Sequence, residues 1–295
     1  MLHVCTNRTA PGRGGEQQGG IIRRGFIFTV AVLAAAMLSG ALAQGELRLF
    51  LPVQEVDNLG KSRLQSDAAG GIHIVAPSIV GNGFTYMYCP PGCSDEQQLQ
   101  ELRFETDSNG PEVALALDPA GRPHVVIGDY FSLSYAYCSG DCSSAAGWQR
   151  GLLTSWEQPD WQISGDSLAI GPDGQAHFLL HGRSELFSDG PHNTWYYSCA
   201  ADCQLGGNWR ATVIEDEQNY THTSLHVRGD GTLVGGFVAA VNYDLGMEYP
   251  IIAYFECAAD CHAGDSWGAV GLYTAYGAFW TEDVPPAVSL ALDSA

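Results

Sequence analysis

Residues 135–148 read YAYCSGDCSSAAGW, with two cysteines four positions apart between a tyrosine pair and a tryptophan. The arrangement recurs as YMYCPPGCSDEQQL at 86–99, YYSCAADCQLGGNW at 196–209 and YFECAADCHAGDSW at 254–267. The spacing Tyr-x2-Cys-x3-Cys-x5-Trp is thus written four times with one departure, Leu99 in place of the tryptophan. Four copies of so specific a spacing make the stretch one element of a structural repeat.

A second repeated line precedes each cysteine element: VALALDPAGRPHVVIGD at 113–129, SLAIGPDGQAHFLLHG at 167–182, SLHVRGDGTLVGGF at 224–237 and a weaker copy, LQSDAAGGIHIVAP, at 64–77. Each alternates apolar and polar residues, breaks at an Asp/Pro/Gly turn and resumes as a second apolar strand, the pattern of a β-hairpin. Gly70, Gly121, Gly174 and Gly231 fall in register at the turn, and Asp67, Asp118 and Asp173 lie in or beside it, where Asx turns are the economical use of aspartate. The second unit then reads as strand A at about 112–118, strand B at 123–128, a variable loop, strand C at 132–138, the cysteine tip, and strand D opening at Trp148. Four antiparallel strands per unit, with cysteine pairs 49, 61 and 58 residues apart, predict an all-β fold, a β-propeller of four-stranded blades. The blades are expected at about 62–109, 110–164, 165–221 and 222–284, after an N-terminal linker or closing strand at 44–61. A fifth copy begins at 285–295, PPAVSLALDSA, matching GPEVALALDPA at 110–120. Its single strand leads to the expectation that the chain is part of a longer reading frame, with ELRLFLPV (46–53) as a closing strand the alternative.

Of the nine cysteines, Cys5 lies in a leader and the other eight form the local pairs Cys89/Cys93, Cys138/Cys142, Cys199/Cys203 and Cys257/Cys261. In an exported chain an even set reads as disulfides, and one pair per repeat unit favours local bridges over the other connectivities. Each would close a very small loop, for which chain entropy gives roughly 2 kcal/mol. Zinc is the rival, since Cys-x3-Cys is also ligand spacing, but equivalent positions of successive units point outward in parallel and do not converge into four-thiolate sites. Redox chemistry of the CxxC kind lacks both the spacing and a basic neighbour to lower a thiol pKa.

The leader is legible as Arg23 and Arg24 before the apolar run GFIFTVAVLAAAMLSG and the small-residue site Ala41-Leu42-Ala43, which predicts a signal peptide over 1–43. RRGFIF also resembles a twin-arginine signal, so the export route stays open, and an uncleaved anchor is the alternative to cleavage. Export places the protein outside the cytoplasm, secreted or in the cell envelope, with no membrane span left after cleavage. Without the leader, 9 basic residues face 32 acidic ones, a net charge of −23. Such a surface repels phosphate backbones, so nucleic acid is excluded as a partner and glycans, cations or a surface protein remain.

The line VALALDPAGRPHVVIGDYFSLSYAYC, continuing to Gly147-Trp148, resembles a bacterial family of secreted or surface repeats grouped with sialidase-like β-propellers. The resemblance spans about 62–295 and implies a fold far more than an activity. In sialidases an Asp-box staples the hairpin between third and fourth strands; here the cysteine tip occupies that hairpin, and Asp141, Asp202 and Asp260 stand just before each second cysteine. Sialidase chemistry also needs three arginines on a carboxylate, a Tyr–Glu nucleophile pair and an Asp acid/base. No Arg-Ile-Pro motif occurs here, and Arg122, Arg150, Arg210 and Arg228 sit at turns or beside strand D, in structural or solvent-facing places.

Propeller connectivity directs attention instead to the B–C loops and the D–A linkers, which gather on one face. The candidates there are Asp129, Trp156, Glu157, Asp160, Trp161, His181, Arg183, Glu215, Tyr220 and Trp280, drawn from segments dense in aromatics and carboxylates. Aromatic faces beside carboxylates suit stacking on sugar rings, and carboxylate pairs suit Ca²⁺ or acid/base work; no other cofactor is expected. No catalytic set stands out. The leading expectation is an exported binding or interaction scaffold, with glycans as the ligand class; a glycan-active hydrolase and a purely structural envelope protein are the alternatives. His73, His124 and His177 form one column at the start of strand B and read as a shared structural device.

Overall fold

Strand-forming alternation around fixed glycine turns builds the same meander four times. The computed structural model describes residues 62–78, 83–105, 112–128, 132–155, 161–162, 166–182, 194–215, 219–243 and 247–274. The expected leader, the 44–61 segment and the fifth copy at 285–295 lie outside these. Blade one comprises β1 (Arg63–Ser66), β2 (Ile72–Pro77), β3 (Gly83–Cys89) and β4 (Gln100–Glu105). Blade two comprises β5 (Glu112–Leu117), β6 (Pro123–Gly128), β7 (Ser132–Cys138) and β8 (Trp148–Ser155). A short strand β9 (Trp161–Gln162) leads to blade three, β10 (Leu168–Ile170), β11 (Ala176–Gly182), β12 (Thr194–Cys199) and β13 (Arg210–Glu215). Blade four comprises β14 (Asn219–Val227), β15 (Leu233–Tyr243), β16 (Met247–Cys257) and β17 (Gly268–Thr274). Each blade is a sheet in simple sequential order with every pairing antiparallel, and β9 adds to β11 in the third.

The first strands of successive blades approach one another, β1 to β5, β5 to β10 and β10 to β14, so they form the inner rim. Asp166, two residues before β10, makes an isolated parallel bridge to Ser224 of β14, as expected where equivalent strands run in one direction. Gln65 ties the first two blades together, its Nε2 donating to the Leu115 carbonyl at 2.9 Å and its Oε1 accepting from the Leu117 amide at 3.1 Å. This is the sequential, radially ordered arrangement of a β-propeller, and the all-β expectation is met.

The core lies between sheets. One cluster joins Val75, Phe84, Tyr86 and Phe104 of blade one to Leu115, Ile127 and Trp148 of blade two; a second joins Tyr135 to Phe178; a third joins Leu179 and Tyr196 to Leu233 and Phe255. The meander fixes two edges. The A–B turns and cysteine tips share one, the tip edge; the B–C and D–A connections share the other, the loop edge.

Candidate functional site

At the tip edge the same contacts repeat from blade to blade. All four cysteine pairs are local disulfides, Cys89–Cys93, Cys138–Cys142, Cys199–Cys203 and Cys257–Cys261, with Cα atoms 5.5–5.7 Å apart, so these thiols are not available to zinc. Each bridge is followed by a one-turn 3-10 element, and in blades two to four the second cysteine offers its carbonyl to the tryptophan after that turn. The indole Nε1 of Trp148 donates to Cys142 O at 3.2 Å, that of Trp209 to Cys203 O at 2.7 Å and that of Trp267 to Cys261 O at 2.8 Å. The oriented indole then meets a tyrosine of the preceding blade edge-on: Tyr86 with Trp148, Tyr135 with Trp209 and Tyr196 with Trp267, at centroid separations of 4.8, 5.1 and 5.4 Å. That tyrosine is held from behind, since its hydroxyl shares a hydrogen bond with Nδ1 of His73, His124 or His177 respectively. Burial pushes His124 and His177 down to about 4. The histidine column is therefore neutral and structural.

The turn aspartates do what Asx turns require. Asp67 Oδ1 accepts from the Ala69 and Gly71 amides, both at 2.8 Å, and Asp118 Oδ1 from Ala120 and Arg122 at 2.9 and 2.8 Å. The neighbouring Gly70, Gly121, Gly174 and Gly231 all have φ between +77° and +87°, a region that leaves glycine the unstrained choice. Asp202 and Asp260 adopt φ of +52° and +33°, which identifies them as turn residues. Arg122 forms an ion pair with Asp118 and Arg150 lies 5.2 Å over the Phe104 ring, so neither belongs to a substrate clamp. In blade four Val234 stands in the histidine column. The Tyr254 hydroxyl instead accepts from Arg228 Nη2 and donates to Glu256 Oε2, both at 2.8 Å. Although a tyrosine, a glutamate and an arginine meet there, burial raises the Tyr254 pKa, which is the wrong direction for a nucleophile.

The loop edge departs from the repeat at blade three. Where the other blades pair Pro77 with Phe84, Gly128 with Leu133 and Val238 with Ile252, blade three pairs His181 with Thr194. Both are buried, at 3% and 4% exposure, so two polar side chains replace apolar or side-chain-free positions at a cost that only hydrogen bonding offsets. His181 Nδ1 bonds to Thr194 Oγ1 at 3.1 Å, and its Nε2 bonds to Thr223 Oγ1 of blade four at 2.9 Å. Cross-strand register continues the row: Gln162 of β9 opposes His181 on one side, and Glu215 of β13 opposes Thr194 on the other, at a β-bulge. Bulges recur near this edge in blades two and four, where they re-aim the ends of strands. Exposed Asp166 adjoins the row at the inner rim through its bridge to Ser224.

Four of the ten sequence candidates are thus placed by described backbone. His181 and Glu215 lie in one row, Trp161 opposes Gly182 one position along, and Tyr220 opposes Ala239 in the adjoining blade. Asp129, Trp156, Glu157, Asp160, Arg183 and Trp280 lie outside the described residues. Thr194, Thr223 and Asp166 were not among the candidates. Setting the four blades column by column against His181 would have exposed Thr194, but a threonine among strand residues carries no signal alone. Among the described residues no group of three or more metal-ligating side chains converges, and no helix is long and apolar enough to cross a membrane.

No family model matches the chain, and no curated protein does. Solved structures similar to it include the Penicillium chrysogenum alpha-L-arabinanase complexed with arabinobiose, 10% identical with a TM-score of 0.49 over 74% of this chain and 67% of that one. The endo-arabinase from Bacteroides thetaiotaomicron is 12% identical, with a TM-score of 0.43 over 74% of this chain and 81% of its own. Polysaccharide lyase Uly1 is 10% identical, with a TM-score of 0.46 over 69% of this chain, which spans only 53% of that enzyme. Likeness at this level leaves ligand and activity to be argued from the chain's own residues.

Proposed function

We propose that the chain is an exported, glycan-directed β-propeller whose loop edge, centred on blade three, engages carbohydrate. The observation that carries this is the break in the repeat: His181 and Thr194 occupy columns that are apolar or glycine in the other three blades, both are buried and bonded to each other, and His181 is bonded in turn to Thr223. A repeat that needs only to pack has no reason to bury a histidine there. A site that must hold an edge rigid does, because paired polar groups fix one geometry. Buried His181 acts as a support. The groups that would meet a sugar are those of the flanking linkers, Trp156, Glu157, Asp160, Trp161 and Tyr220, whose aromatic and carboxylate character matches the stacking and hydrogen bonding that pyranose and furanose rings accept.

Two modes fit this edge. In the first it binds and displays, as a scaffold on an exported surface protein. In the second, two of its carboxylates work as acid and base; Glu215, in the row of His181 and Thr194, is the group that favours this reading, and under it the chain would share polysaccharide chemistry with the enzymes named above. Carboxylates of the same linkers are also the place for a Ca²⁺ ion, should one bind. Purified leaderless protein tested on an array of plant and algal polysaccharides, with reducing-end and unsaturated-product assays alongside, separates the modes. Binding without turnover that is weakened in His181→Ala assigns the scaffold; turnover lost in Glu157→Gln, Asp160→Asn or Glu215→Gln assigns the enzyme. Neither binding nor turnover refutes both.

A further inference from the structure

The third and fourth strands of blade n receive the cysteine tip of blade n + 1. On blade two, a Cβ built on Gly151 would fall 1.6 Å from the Gln204 carbonyl of the next tip, and Tyr137 donates to Gln204 Oε1 at 3.4 Å. On blade three, His262 of the next tip reaches back to Thr212 Oγ1 at 2.8 Å and to Ser198 Oγ at 2.7 Å. One position in this seat is apolar in every blade: Phe104, Leu153, Ile214 and Leu272, each five residues after the tryptophan or its substitute. The first is buried and the next two pack against the core shared with the following blade. In blade four the equivalent positions are largely exposed. Leu272 is 63% exposed and Val270 59%, while Val234 and Val238, on β15 of the same sheet, are fully buried.

We propose that this outer half of blade four seats the cysteine tip of a further unit of the same repeat, the unit that PPAVSLALDSA (285–295) opens. The occupant is specified by the three interfaces already built: a disulfide-closed turn whose second cysteine carbonyl orients an indole onto the preceding tyrosine. Here that tyrosine is Tyr254, and Arg228 and Glu256 hold its hydroxyl in place of the missing histidine. An apolar residue at this column in all four blades, and continuity with a contact made three times in the array, favour a repeat tip over an unrelated partner.

The test compares the leaderless chain with the same chain continued after Ala295 by a copy of residues 121–164, which supplies strands B to D and a tip in register with the motif at 285–295. Leu272→Asp is introduced into both. In the continued chain the substitution is expected to lower Tm by roughly 6 °C or more, as for a buried leucine, and in the parent by less than about 2 °C. Equal small shifts in both chains overturn the proposal. So does a concentration-dependent dimer of the parent that Leu272→Asp abolishes, which would assign the face to a second copy. Should the continued chain fail to fold, a disulfide-closed synthetic peptide of residues 194–215 is added to the parent carrying Leu272→Cys. Thiol labelling slowed at least threefold by the peptide supports the seat, and an unchanged rate overturns it.

Discussion

The contact between Tyr86 and Trp148 is where the inter-blade argument is most exposed to measurement. Trp148 is 5% exposed, its ring lies 4.8 Å from Tyr86 and 5.1 Å from Phe104, and its Nε1 donates to the Cys142 carbonyl. Trp148→Phe keeps an aromatic ring but removes the donor, an expected loss of about 1 kcal/mol. Trp148→Leu also removes the edge-to-face pairs and leaves a cavity at the seam, raising the loss to about 3 kcal/mol. Tyr86→Leu costs a similar amount, because it strips the hydroxyl partner from buried His73 as well as the ring.

The decisive quantity is the coupling between them. Urea unfolding followed by far-UV circular dichroism, with the disulfides intact, gives the four corners of a double-mutant cycle. An edge-to-face pair across the seam predicts a coupling of about 1 kcal/mol. The cycle pairing Trp148 with Tyr196, which belongs to the seam between blades three and four, should give a coupling within about 0.4 kcal/mol of zero. A Tyr86–Trp148 coupling no larger than that of the remote pair would refute the claim that the tip exists to aim its tryptophan at the preceding blade.

Two further outcomes follow from the same seams. Burial holds His124 and His177 at about 4 in the folded protein, below the value near 6.5 of an unfolded chain. Their contribution is therefore intact above pH 6.5 and is lost as pH falls towards 4, by up to about 3 kcal/mol each. His177→Val, which copies blade four, should flatten the fall in urea midpoint between pH 6.5 and 4.5, and an unchanged slope would count against it. Gly151→Ala places a methyl against the backbone of the next tip and should cost about 1–3 kcal/mol, whereas Gly207→Ala, with nothing within 4 Å of its Cβ, should be nearly neutral by the same assay.

What sequence could and could not reveal divides along the two edges. At the tip edge the determinants are local and repeated. A glycine at positive φ, an aspartate capping its own turn and two cysteines five Cα positions end to end can be read from one line of sequence, and four copies remove the ambiguity of any single one. Strand C of blade two was legible to the residue, Ser132–Cys138, for the same reason. The partner of each tip was not legible. That Trp148 packs on Tyr86, 62 residues earlier in the sequence, depends on how neighbouring blades stack, and no periodicity within a unit encodes it.

The loop edge reverses this logic. There the informative residues are those that fail to repeat, and a departure becomes meaningful only once strand register says what it departs from. His181 drew notice as a histidine in a loop-side segment. Its weight comes from facing Thr194 where three other blades place Phe84, Leu133 and Ile252, and from crossing to Thr223 in the next blade. Repetition thus assigns the tip edge to stability, because selection for packing acts equally on every unit. Under the proposed function, the departure at His181 and Thr194 marks the blade that engages a ligand. On this reasoning substitutions in the tip columns should act on stability in proportion to burial, and substitutions around His181 should act on ligand engagement beyond what their effect on stability explains.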